Sequence, residues 1–231
     1  MSFYRDWLLA TGNTEKENVF LQQYLDYSPE SLETLTVGDN DDVVEAIRLL
    51  LSIPILRLLD AINHPYPLSP KDIFQYSKLD DATDTLCTIL EFEENRLSYE
   101  EAGQRLTHAS QQYACIKYGE NHAKTAAMLT LVLIGREPDR KCNMVRISSL
   151  GSVSTMLSVE EKHELIKRLA VRNPLIKTLI YEAKTNGYAS YIDTVSVALS
   201  GQTIIRRKHN NEIIMNLILE DLPLKDQIRW Q

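Results

Sequence analysis

Apolar residues recur along most of this chain at helical rather than strand spacing. Phe3, Trp7, Leu8 and Leu9, then Val19, Phe20, Leu21, Tyr24 and Leu25, predict one or two short helices ending near Tyr27-Ser28-Pro29. After the turn Gly38-Asp39-Asn40, Asp41 or Asp42 can cap a helix carrying Val43, Val44, Ile47, Leu50 and Leu51. Pro54 bends or breaks it, and Ile55, Leu56, Leu58, Leu59 and Ile62 carry the apolar face onward to a loop set by Pro65 and Pro67. Ser69-Pro70-Lys71-Asp72 reads as a cap with proline at the first helical position, so Ile73, Phe74 and Tyr76 start a further short helix. Asp80 to Asp84 then caps into Leu86, Ile89, Leu90 and Phe92.

From Leu97 to Ile147 the pattern changes. Ser98 with Glu101 three residues on forms a capping box, and Ala102 and Leu106 mark the apolar face of a short helix. Ala123, Ala126, Ala127, Leu129 and Leu131 repeat at helical spacing after Lys117-Tyr118-Gly119-Glu120-Asn121. The turn-rich Gly135-Arg136-Glu137-Pro138-Asp139-Arg140-Lys141 separates Val132-Leu133-Ile134 from the strand-like Met144-Val145-Arg146-Ile147. Helix, helix and basic hairpin is the plan of a winged helix-turn-helix. One helix of such a module fits the major groove, and a flanking basic loop fixes register through phosphates. On this plan Lys117, Asn121, His122, Lys124 and Thr125 face the groove while the alanines pack inward, and Arg136, Arg140, Lys141 and Arg146 meet phosphates.

Downstream, Ser158 and Glu161 form a second capping box before Leu165, Ile166, Leu169 and Val171, with Lys162, Lys167, Arg168 and Arg172 on the opposite face. Asn173-Pro174 restarts the chain, Gly187 ends the helix that follows, and Tyr191 to Leu199 form another. The last long helix bears Arg206, Arg207 and Lys208 near its start, where positive charge opposes the macrodipole unless an anion or carboxylate sits opposite. No repeat of fixed period stands out.

Charge sharpens this picture. The net charge of −7 argues against a phosphate ligand, but it is unevenly spread. Residues 1–100 hold 7 Lys and Arg against 19 Asp and Glu, whereas residues 101–231 hold 18 against 13. The chain reads as three regions: an acidic helical one (1–79), a winged-helix domain (80–150) and a basic helical one (151–231). Cys87, Cys115 and Cys142 lack the spacing of a disulfide framework or a zinc site, which points to a reducing cytoplasm. No apolar run is long enough to cross a bilayer, and the amino terminus lacks the features of an export signal.

Candidate chemistry is sparse. Glu182-Ala183-Lys184, with Asp139 upstream, spells part of a metal-dependent nuclease centre, but Glu182 lies in a helical pattern and Asp139 in a turn. The histidines never pair at metal-ligand spacing, and no nucleophile elbow or phosphate-cradling glycine loop occurs. Catalytic residues, metal and cofactors are therefore all read as none.

The stretch Lys117 to Val132, followed by Ile147-Ser148-Ser149-Leu150-Gly151, resembles the winged-helix DNA-binding modules associated with bacterial restriction systems and related regulators. There an alanine-rich helix ends in a Leu-Gly-Leu-Val turn; here the turn is Leu129-Thr130-Leu131-Val132, with Thr130 at the glycine position. Leu199 to Arg207 is similar to the helical continuation that group often carries, and the resemblance spans about half the chain, Leu97 to Leu219. It implies a mainly α protein with a β-hairpin wing, flanked by helical regions, that binds double-stranded DNA without catalysis in a defence or transcriptional setting. Arg206, Arg207 and Lys208 join the expected DNA-binding set. The rival readings are a helical protein-interaction subunit that docks through the acidic half, and the DNA-binding subunit of a nuclease.

Overall fold

The computed structural model describes residues 12–26, 33, 35–75, 78–107, 111–136 and 142–231. The protein is mainly helical, with a small antiparallel three-stranded sheet and one two-stranded parallel pair. The chain gathers into two compact units. A central unit comprises Leu32–Ala46 and Gln75–Lys162, and a terminal unit comprises Met1–Ser31, Ile47–Phe74 and His163–Gln231.

In the central unit a π-helical turn, Asp81–Thr85, leads into α4 (Leu86–Phe92). Then follow β1 (Arg96–Ser98), α5 (Tyr99–Leu106), α6 (Gln112–Met128), β2 (Val132–Arg136), β3 (Asn143–Ile147) and α7 (Ser149–Ser154). The sheet order is β1-β3-β2, both pairs antiparallel, so the strand before the helix pair is hydrogen-bonded to the last strand of the hairpin. Leu97, Val145 and Ile134 lie in one cross-strand row; Leu97 and Val145 are buried, as are Leu86, Ile89, Leu90, Ala102, Leu129 and Leu150. Full burial of each leucine or isoleucine contributes about 1.5–3 kcal/mol.

The terminal unit holds α1 (Thr14–Leu25), α3 (Ile55–Ala61), α9 (Pro174–Asn186), α10 (Tyr191–Ser196) and α11 (Gly201–Ile218). It also holds the second part of α2 (Asn40–Ser52) and most of α8 (Val159–Val171). β4 (Ala189–Ser190) pairs in parallel with β5 (Ile228–Arg229). The expected helix at Ile73 is only a 3-10 turn, Pro70–Asp72, closed by the Ser69–Asp72 capping box. Asn211 then holds extended Phe74 at both its backbone groups, at 3.2 and 3.3 Å.

Basic side chains at and just after the end of α8, and on α9, cap the carboxyl ends of other helices in this unit. Arg168 donates to Ile53 O at 2.9 and 3.1 Å, and Arg172 Nε donates to Tyr24 O at 3.1 Å. Lys177 Nζ donates to Leu25 O at 2.6 Å, while Lys184 Nζ reaches the carbonyls of Leu59, Asp60 and Ile62. The last carbonyls of a helix lack intrahelical partners and carry the negative end of its dipole, so cations are favoured there. Arg168 and Arg172, expected on an exposed face, are 5% and 1% exposed for this reason.

Candidate nucleic-acid interface

The helix pair α5–α6 is built around two glycines. Ser98 Oγ accepts from Glu101 N at 3.2 Å and Glu101 answers Ser98 N at 2.7 Å, so α5 starts where the capping box predicts. A Cβ added at Gly103 would lie 1.8 Å from Cys115 O, and one at Gly119 would lie 1.9 Å from Tyr99 O. Only glycine admits so close an approach, and it fixes which face of α6 is covered.

That face holds Ala123 and Ala126, as expected, but is wider than expected. Cys115, Gly119, His122, Ala123 and Ala126 recur at helical spacing as the buried stripe, with Thr125 beside them. His122 and Thr125 are each 1% exposed, which corrects their assignment to the groove. Both lie on the stripe that continues Gly119 toward the core, whereas Ala127, expected inside, is half-buried. The His122 Nδ1 lies 2.8 Å from the Tyr118 carbonyl, and its ring stacks on Tyr118 at 4.2 Å. Burial pushes the His122 pKa down, against the opposing pull of that carbonyl and of Asp81.

Lys117 and Lys124 are exposed as expected, and Asn121 is half-buried. The two lysines converge on Glu120, each at 2.7 Å. Burial raises the Glu120 pKa, but hydrogen bonds from the two lysines, reinforced by their charges, more than offset it and hold the carboxyl below the usual range. Exposed pairs of this kind contribute little to stability, so the lysines can exchange Glu120 for another anion at small cost. Tyr113, one helical turn before Lys117, is 72% exposed. Its place on this surface was not anticipated, because an aromatic residue near a helix start reads as core.

On the sheet, Arg146 stands directly opposite Arg96 on one side and Leu133 on the other, and all three are exposed. Arg96 was overlooked because its position opposite Arg146 follows from strand register, which the sequence does not display. Arg136 pairs with Asn143 at the hairpin end and is exposed. Arg140 and Lys141 lie outside the described residues. Thr130, between α6 and β2, is the one described non-glycine residue with positive φ, at 64°. This is the position at which the resembled turn has glycine, and left-handed backbone is what glycine supplies most easily.

In the terminal unit the three clustered cations separate. Arg206 is exposed and Lys208 half-buried, but Arg207 is only 9% exposed and donates to Pro70 O at 2.8 Å and Ile73 O at 3.2 Å. Arg207 is thereby removed from the expected DNA-binding set: it shares the inner stripe of α11 with Ile204, Asn211 and Ile214. Glu182 accepts from Thr194 Oγ1 at 2.7 Å and Lys184 is a helix cap, so the pair spelled like a nuclease motif has structural partners. Among the described residues no group of three or more His, Cys, Asp or Glu side chains is arranged to hold a metal ion. Comparisons with protein-family models, curated proteins and solved structures return no match to this chain. The chain's described helices include none long and apolar enough to cross a membrane.

Proposed function

We propose that the central unit is a winged helix-turn-helix module that binds double-stranded DNA without catalysis, with α6 as the groove helix and the β2–β3 hairpin as the wing. The observation that carries this reading is the element order. Helix, strand, short helix, long helix and hairpin, with the first strand paired to the last, is the arrangement in which a helix projects beside a β-wing. The left-handed Thr130 at the α6–β2 turn and the Gly103–Gly119 contact support it, since the first reverses the chain from α6 into the hairpin and the second holds α5 close against α6.

On this reading Lys117, Asn121 and Lys124, with Tyr113 ahead of them, form the groove-facing edge of α6, and Arg136, Arg140, Lys141 and Arg146 meet phosphates, with Arg96 beside Arg146. A role in restriction-linked defence or in transcriptional regulation rests on the resemblance alone. The rival is a protein-docking module. It draws support from the exposure of Tyr113 and from Glu120, whose charge offsets one of its two lysines.

Fluorescence anisotropy with a random-sequence duplex, read over a series of salt concentrations, tests the proposal. Wild-type protein is expected to bind with a salt slope of about 0.9 per phosphate neutralised. Neutralising Arg136, Arg140, Lys141 and Arg146 together should flatten that slope by up to four contacts. No binding at low salt, or an unchanged slope in the variant, overturns it.

A further inference from the structure

We infer that the groove between α1 and α3 of the terminal unit docks a basic amphipathic helix of a protein partner. The contacts Glu17–Arg57 and Gln22–Ala61 advance in the same direction along both helices, so α1 and α3 run side by side. The groove they leave has a volume of about 730 Å³. One face of α1 lines it: Glu15, Asn18, Val19, Gln22 and Asp26 recur at helical spacing, while Phe20, Leu21, Tyr24 and Leu25 are buried on the opposite face. At about 1.5 Å per residue, the lining face extends about 16 Å from Glu15 to Asp26, or about three turns. Asp60 and Ala61 edge the groove from α3.

Charge selects the occupant. Glu15, Asp26 and Asp60 are exposed and line the same groove. Arg57 lines it as well, but Glu17, 3.1 Å away, neutralises its guanidinium. Lys177 and Lys184 offset part of the charge of Asp26 and Asp60, yet both ammonium groups are held by the carbonyls that end α1 and α3. Among the described residues, Glu15 and Asp60 accept no hydrogen bond, and Asp26 accepts from the Tyr66 hydroxyl at 2.6 Å. Each carboxylate therefore keeps lone pairs for a cationic donor.

Val19, 54% exposed, and half-buried Ala61 add apolar surface to the same groove. This charge repels nucleic acid, and the carboxylates are spread along the groove instead of being gathered as a metal site requires. An elongated ligand with an apolar side and flanking cations satisfies both features. A groove between two adjacent helices is where an amphipathic helix lays its apolar face. The partner helix therefore carries lysine or arginine at both ends of about three turns, with apolar residues between them. The surface lies in the terminal unit, and its occupancy does not depend on the ligand of the central unit.

The test is fluorescence anisotropy of full-length protein with a labelled helical peptide of about 18 residues, built of alanine and leucine with lysines about three turns apart on the leucine face. A peptide with glutamate in place of each lysine is its counterpart. Wild-type protein is expected to bind the lysine peptide and not the glutamate peptide. Glu15→Gln/Asp60→Asn should weaken that binding about tenfold, and Val19→Ser about threefold. Asp41→Asn/Glu45→Gln, the same change of charge at exposed positions of α2, should leave it unaltered. Circular dichroism confirms that each variant folds. No binding by wild-type protein, equal binding of the two peptides, unchanged affinity in either groove variant, or an equal loss in the α2 variant overturns the inference.

Discussion

Replacing Gly119 with alanine tests whether the close contact of α5 with α6 is as tight as the backbone indicates. The added Cβ would lie 1.9 Å from the Tyr99 carbonyl oxygen and 2.7 Å from Gly103 N, where ordinary contact begins near 3.4 Å. The helices must part by about 1.5 Å, since both sides of the clash are main chain and no rotamer can relieve it. Overpacking typically costs 1–3 kcal/mol, and a backbone clash belongs at the upper end, about 3 kcal/mol. Alanine returns up to about 1 kcal/mol through helix propensity, which leaves a net loss of about 2 kcal/mol. For a chain of this size that corresponds to a fall in Tm of about 4–8 °C. Thermal unfolding followed by circular dichroism reads it directly. Gly201→Ala serves as the control, because nothing lies within 4 Å of a Cβ there and its melting should match wild type. A Gly119→Ala protein that melts at or above the wild-type temperature would refute the crossing geometry, and with it the assignment of the inner face of α6.

Two further expectations concern the same unit. Thr130→Gly should raise stability by up to about 1 kcal/mol in urea unfolding, since left-handed backbone costs a non-glycine residue about 1–2 kcal/mol and glycine gives back about 0.5–1 in entropy; a clear loss of stability would show that the threonine side chain matters more than its φ of 64°. Burial lowers the His122 pKa from 6.5, so the folded state favours the neutral ring; its contribution is present above about pH 6.5 and is lost as pH falls through the lowered value. His122→Leu should flatten the acid side of the stability profile below about pH 6.5, and an equally steep profile in the variant would assign that slope to other groups.

The sequence pattern displayed what depends on local chemistry. Capping boxes at Ser98 and Ser158, the Asn173 cap and the left-handed Gly187 all stand where short-range spacing puts them. The exposed face of α6 was only partly legible. Helical spacing put Ala123 and Ala126 on the inner face of α6, where they are, but Gly119 and its contact with α5 widen that face so that His122 is also enclosed while Ala127 is half-buried. A glycine within a helix reads as a weak position until its neighbour is known. The Arg96–Arg146 juxtaposition is a matter of strand register, which a sequence pattern does not display.

Half-chain charge was the weakest guide, for a reason that the structure makes specific. The cationic excess of residues 101–231 suggested a phosphate-binding surface, yet Arg168, Arg172, Lys177, Lys184 and Arg207 are committed to main-chain carbonyls. Arg105, Lys117, Lys124, Lys162 and Lys167 face carboxylates. A buried cation on a helix end carries no field to a ligand, and an exposed pair carries a reduced one. Within the described part of residues 101–231, exposed Arg136 lies on the hairpin of the central unit, and exposed Arg206 and Arg229 lie on α11 and β5 of the terminal unit. Positive charge in the basic half is therefore informative only where a cation is exposed and clear of carbonyl and carboxylate partners, and the proposed phosphate-binding role is to be tested first at Arg136 on the hairpin.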